Sequence, residues 1–178
     1  MRLIIPLLLV LSLLLSLAAC GRRETPPPAA WEVLAAMQSV MTRTAQPIPE
    51  GLLYRRASSP DNPDYLTEAL FTALYGRAAE GLLREDGEGG TAAVGDAALF
   101  LSVAPYPCEL AVFRCSDTDT VPTVVSLCRG RMDAVLKGFA EGPLAAEATG
   151  LVTVEGCFVL LIIAEDPQAV AEGLRGII

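Results

Sequence analysis

The sequence contains no histidine. That absence excludes a histidine-based catalytic triad, a histidine general base and any histidine-ligated metal, and with them most familiar hydrolase mechanisms. Lysine is nearly as scarce. Among 13 basic residues only Lys137 is a lysine, a bias that reflects genome composition and is no sign of thermostability. Positive charge is short overall, 13 basic against 21 acidic side chains, and an acidic chain is a poor nucleic-acid binder. No two of Cys108, Cys115, Cys128 and Cys157 are separated by only two to four residues. Neither a four-cysteine zinc site nor a Cys-x-x-Cys redox motif is therefore expected, and no metal or cofactor is implied.

What is present begins with an apolar run from Leu3 to Ala19, closed by Leu17-Ala18-Ala19-Cys20. Small residues at Ala18 and Ala19 suit a signal-peptidase pocket, and the cysteine behind them supplies a thiol for thioether linkage to diacylglycerol. The quartet resembles the lipobox of bacterial lipoproteins. That resemblance implies a signal peptide over residues 1–19 and a mature chain starting at Cys20 with two or three acyl chains, palmitate-like in length. Two chains on one cysteine make a durable anchor where a single chain holds marginally. An ordinary signal peptide and an uncleaved signal anchor are the alternatives. The n-region is thin, Arg22 and Arg23 follow the site, and the run is at the short end for crossing a bilayer. All three place the domain outside the cytoplasm.

Residues 20–30 carry Thr25-Pro26-Pro27-Pro28 and no apolar periodicity, which favours an extended polyproline spacer. Loss of residues 1–19 removes Arg2 alone and leaves 12 basic against 21 acidic groups, a net charge of −9. Anionic headgroups repel such a body and draw in Arg22 and Arg23. Residues 31–178 are enough for one domain with a proper core.

Within that domain, apolar residues at near-helical spacing from Trp31 to Arg43 predict a first helix, and Tyr65 to Tyr75, followed by Gly76, predicts a second. Ser58 to Pro63 reads as turns, and Glu85-Asp86-Gly87-Glu88-Gly89-Gly90 as a surface loop. Ala97–Val103 and Glu109–Cys115 form a hairpin across two prolines. Ser116 or Asp117 then caps a long helix from about Thr120 to Glu141, with Val124, Cys128, Met132, Val135 and Leu136 on its apolar stripe. Leu151–Glu155 and Cys157–Ile163 give a second hairpin about Gly156, and Asp166-Pro167 starts a short helix reaching about Leu174. Cys157–Ile163 is apolar on both faces, so it is either a central strand covered twice or a strand with one face hidden in a homodimer. The expected fold is α+β, a mainly antiparallel four-stranded sheet built from two hairpin-helix units after two helices.

Chemistry-bearing residues are few. Glu109 opens an apolar strand and needs a partner there. Arg131 on the following helix is the candidate for a structural ion pair, whereas no second acid is spaced to make Glu109 a general acid. Asp117, Asp119, Glu165 and Asp166 fit turn and cap roles. Cys108, Cys115, Cys128 and Cys157 are even in number in an extracytoplasmic chain and allow three pairings. Cys128, on the helix stripe, can reach Cys115 or Cys157 across the core, and buried thiols are the alternative. Cys108 and Cys115 have opposite parity and point to opposite faces.

The segment Glu109-Leu110-Ala111-Val112-Phe113-Arg114-Cys115 with Asp117, the helix with Val124 and Arg131, and Gly156-Cys157-Phe158-Val159-Leu160 before Asp166-Pro167 resemble the bacterial lipoprotein family of domain of unknown function 4358. Leu74-Tyr75-Gly76 fits its upstream part, and the likeness covers roughly Tyr65 to Ile178. It implies an architecture and an envelope address, and no catalytic residues. Cys157 and Phe158 depart from the family pattern, and four cysteines are not its signature. The expected protein is thus a lipid-anchored, non-enzymatic envelope component on the extracytoplasmic face of the cell membrane, binding a protein, peptide or envelope ligand and no nucleic acid. An enzyme using carboxylates or a thiol without histidine, and a disulfide-linked redox sensor, are the alternatives.

Overall fold

A computed structural model describes residues 26–84, 92–103, 106–140 and 148–178. The signal segment, Cys20 and the acidic loop 85–90 lie outside the described residues, as does the expected helix end at Glu141. Helix α1 spans Ala30–Arg43, β1 Gly51–Arg55, α2 Glu68–Tyr75, β2 Val94–Ser102, β3 Glu109–Cys115, α3 Val121–Ala140, β4 Thr149–Glu155, β5 Phe158–Ala164 and α4 Pro167–Gly173. A short 3-10 turn covers Arg77–Ala79.

The architecture is α+β with an antiparallel sheet, and the sheet has five strands in the order β1-β2-β3-β5-β4. The expectation of four strands missed β1, which pairs with β2 from Gly51↔Ser102 to Arg55↔Ala98. Leu52 and Leu53 on it are exposed, so this edge strand carries no buried alternation to betray it. The second helix also starts later than Tyr65. Tyr65 bridges back to Arg55 instead, and Thr67 caps α2 by accepting the Leu70 amide at 3.1 Å.

Every residue of β5 is buried. Val159, Leu161 and Ile163 enter one core with Phe71, Tyr75, Phe113, Val124 and Cys128. Phe158, Leu160 and Ile162 enter the opposite core with Val33, Leu34, Met37 and Val170. Helices α2 and α3 therefore cover one face of the sheet, α1 and α4 the other. The first core holds an aromatic trio in which Tyr75 meets Phe113 edge-on at 5.3 Å between ring centres and Phe71 at 5.0 Å. Gly156, at φ 57°, turns the β4–β5 hairpin in the left-handed region open to glycine.

A register shift between Val94 and Asp96 turns Val94 to the same face as Ala97 and Leu99. Val94, Ala97 and Leu99 face the first core, while Asp96, 5% exposed, turns towards α1. The residue before α1 is Ala29, which has no side chain to cap with. Asp96 Oδ2 accepts the Ala30 amide at 2.8 Å in its place, setting a carboxylate at the positive end of the helix. Arg114 stands directly opposite Asp96 on β3. At the other end of α1, the Gln46 amide group donates to the Asp166 carbonyl at 3.2 Å and accepts the Asp166 amide at 2.9 Å, tying α1 to α4. Asp166 in turn caps α4 through the Ala169 amide at 2.9 Å. Replacing Asp96 with Ala should lower stability by about 1–2 kcal/mol in urea denaturation. An unchanged midpoint would show that α1 does not rely on this contact.

Candidate functional site

Glu109 is the first residue of β3, paired across the sheet with Leu101 and Ile163. The strand that makes the core also carries this acid into it, where its side chain is 4% exposed. An ionised carboxylate there requires a charged, hydrogen-bonded partner. α3 supplies it. Arg131 Nε donates to Glu109 Oε1 and Oε2 at 3.0 Å each, and Nη2 donates to Oε2 at 2.8 Å. Burial opposes the guanidinium charge, but the hydrogen bonds and attraction of Glu109 outweigh it and hold the Arg131 pKa above its ordinary value. The pair lines a shallow cleft of about 250 Å³ with Leu101, Cys108, Val135 and Phe139.

Tyr75 closes the inner side of this arrangement. Its hydroxyl is buried with no well-formed hydrogen-bond partner among the described residues. Burial first, and then the negative charge of Glu109, push its pKa well above that of a free phenol, so it stays neutral. The sequence marked Tyr75 only as a helix end and not as a neighbour of Glu109, because an aromatic at helical spacing reads as core. Asp96 was missed because its partner is a helix end 66 residues away in the chain.

The four cysteines are distributed as their parity implies. Cys108 belongs to the α1 face, and Cys115 and Cys128 to the α2–α3 face, with the half-buried Cys157 packed against the latter. No disulfide joins any two of the four among the described residues. Burial raises the pKa of Cys108 to about 12 and of Cys115 to about 11, and lifts Cys128 further still. Asp117 accepts the Thr120 amide at 2.7 Å ahead of α3, and Asp166 caps α4, so both acids serve turns. Among the described residues no cluster of three His, Cys, Asp or Glu side chains could hold a metal ion. None of the described helices is long and apolar enough to cross a membrane. Cys20 lies outside the described residues.

A second cleft, of about 890 Å³, opens where β3 ends and the β4–β5 hairpin turns, with Arg56, Arg114, Cys115, Ser116 and Cys157 among its lining. Pro27, ahead of α1, and Ile178 also border it. Arg56 is already engaged, donating to the Leu83 carbonyl at 3.0 Å and stacking on Tyr65 at 5.2 Å. No protein-family model, curated protein or solved structure matches the chain.

Both oxygens of Glu109 are taken up by one guanidinium, so the arrangement suits a lock between strand and helix better than proton transfer. Removing the cation alone strands a buried carboxylate. Arg131→Met should therefore cost about 3 kcal/mol, the low end for a buried pair because Arg131 is partly exposed, and adding Glu109→Leu should recover much of that loss. No loss of thermal stability in Arg131→Met would refute the lock. The thiols set an alkaline limit. Their folded pKa values lie above the ordinary 9.0, so the unfolded chain ionises first as pH rises. Their contribution is complete below about pH 9 and is lost towards pH 11 and beyond. Urea midpoints across that range should fall steadily, and fall less in Cys115→Ala.

Proposed function

We propose that the chain is a bacterial lipoprotein, acylated on Cys20 and held on the extracytoplasmic face of the cell membrane, whose domain of residues 31–178 is a non-catalytic binding or structural component of the envelope. The observation that carries this reading is the quartet Leu17-Ala18-Ala19-Cys20 closing an apolar run. A thiol placed directly after two small residues serves the chemistry of lipid transfer, and neither a core nor a loop calls for that order. The extended backbone at Ala29, φ −70° and ψ 150°, supports a polyproline spacer running into the body.

The engaged state of Glu109 supports a non-catalytic role, since a general acid must be free to reach substrate. The acidic balance after Cys20 favours basic or neutral partners and disfavours nucleic acid. The resemblance to the domain of unknown function 4358 family belongs to the same proposal, with β2-β3-α3 and β4-β5-α4 as its two hairpin-helix units. In that family an envelope address comes without an assigned activity.

The test is the intact mass of the protein extracted in detergent from its native membrane. A mass beginning at Cys20 with two or three acyl chains is expected, and Cys20→Ser should abolish the acyl mass and leave residues 1–19 attached. A mature chain that keeps residues 1–19, or begins elsewhere without lipid, would contradict the proposal.

A further inference from the structure

The β3–β5 register runs from Glu109↔Ile163 to Arg114↔Phe158. One step beyond Arg114↔Phe158 sets Cys115 opposite Cys157, and the Cys115 amide donates to the Cys157 carbonyl at 2.9 Å. Residues opposite each other on antiparallel strands project to the same face, with Cα atoms about 5.5 Å apart in a hydrogen-bonded pair. That spacing lies inside the range of roughly 4.4–6.8 Å that a disulfide spans. The packing agrees, since Cys115 is in the core between the sheet and α2–α3 and Cys157 lies against the same core.

Access differs between the two thiols. Cys115 is 4% exposed, whereas Cys157 is half-buried in the hairpin turn, and both line the 890 Å³ cleft. Cys108 lies on the opposite face of the sheet, and Cys128 is fully buried on α3. The cleft therefore offers an incoming reagent Cys157 first and Cys115 behind it.

We propose that Cys115 and Cys157 are a cross-strand redox pair, which closes to a disulfide by exchange with an external disulfide oxidant such as an envelope dithiol protein in its oxidised form. The Cys157 thiolate attacks one sulfur of the oxidant, forming a mixed disulfide and releasing the first oxidant thiol. The Cys115 thiolate then attacks the Cys157 sulfur and releases the second. The two cysteines lose two protons and two electrons in total, and the oxidant takes up both as its two thiols. The bond would staple the end of β3 to the β4–β5 turn. Burial disfavours the Cys115 thiolate that this attack requires. This pairing does not depend on acylation of Cys20.

The test equilibrates the full chain in detergent with oxidised and reduced glutathione, quenches with acid, alkylates in denaturant and maps the peptides. Cys115 and Cys157 should be protected together as one crosslinked pair, lighter by two hydrogens than the reduced peptides, while Cys108 and Cys128 are alkylated. Cys157→Ser should leave Cys115 alkylatable, and Cys108→Ser should leave the crosslink intact. A crosslink from Cys115 to Cys128, or full alkylation of Cys115 in wild-type protein at the most oxidising ratio, would overturn the pairing.

Discussion

A strand that is apolar on both faces cannot rest on a solvated surface, and β5 is such a strand. Phe158 to Ala164 must be covered from above and below. The rest of the domain follows from that demand: β3 and β4 flank it, α2 and α3 close one face, and α1 and α4 close the other. Covering both faces from one chain also removes the need for a second copy to hide this strand. Sequential hairpins alone would leave one face bare, which is why helices from before and after each hairpin are drawn in.

A layered body of this kind buries backbone ends and a few charges, and each is met by a specific partner. Glu109 enters the core because it occupies a strand position of inward parity, and Arg131 reaches it from α3 with a two-pronged grip. Asp96 shares the strand parity of Ala98 and Phe100, which face α1, and supplies the cap that Ala29 cannot. Gln46 links the end of α1 to the start of α4 through the Asp166 backbone. These contacts fix how the helices sit on the sheet, a job that apolar packing does with less directional precision.

Much of this was legible in the sequence wherever one residue type at one spacing decides the outcome. The stripe on α3 and the unbroken apolar run of β5 announced a long helix and a central strand. The Asp117 and Asp166 turns announced the helix starts. The meeting of Glu109 with Arg131 was readable because an acid in an apolar strand demands a cation, and the connection to α3 is short. β1 was not legible, since an exposed edge strand has neither alternation nor a buried run. The roles of Asp96, Tyr75 and Gln46 were hidden as well, because each depends on register or on contacts far apart in sequence. Gly130 is surrounded by open space, and nothing in the structure explains a glycine there.

The dependence of the whole domain on a doubly covered β5 is open to direct measurement by native-state hydrogen exchange across the sheet. Amides of β3 and β5 should exchange only through global unfolding, with a denaturant dependence equal to that of the whole domain, while β1 amides open locally at lower free energy. Exchange of β5 amides as easily as those of β1 would mean that one face of β5 is not held by its helices, and the three-layer arrangement would have to be abandoned.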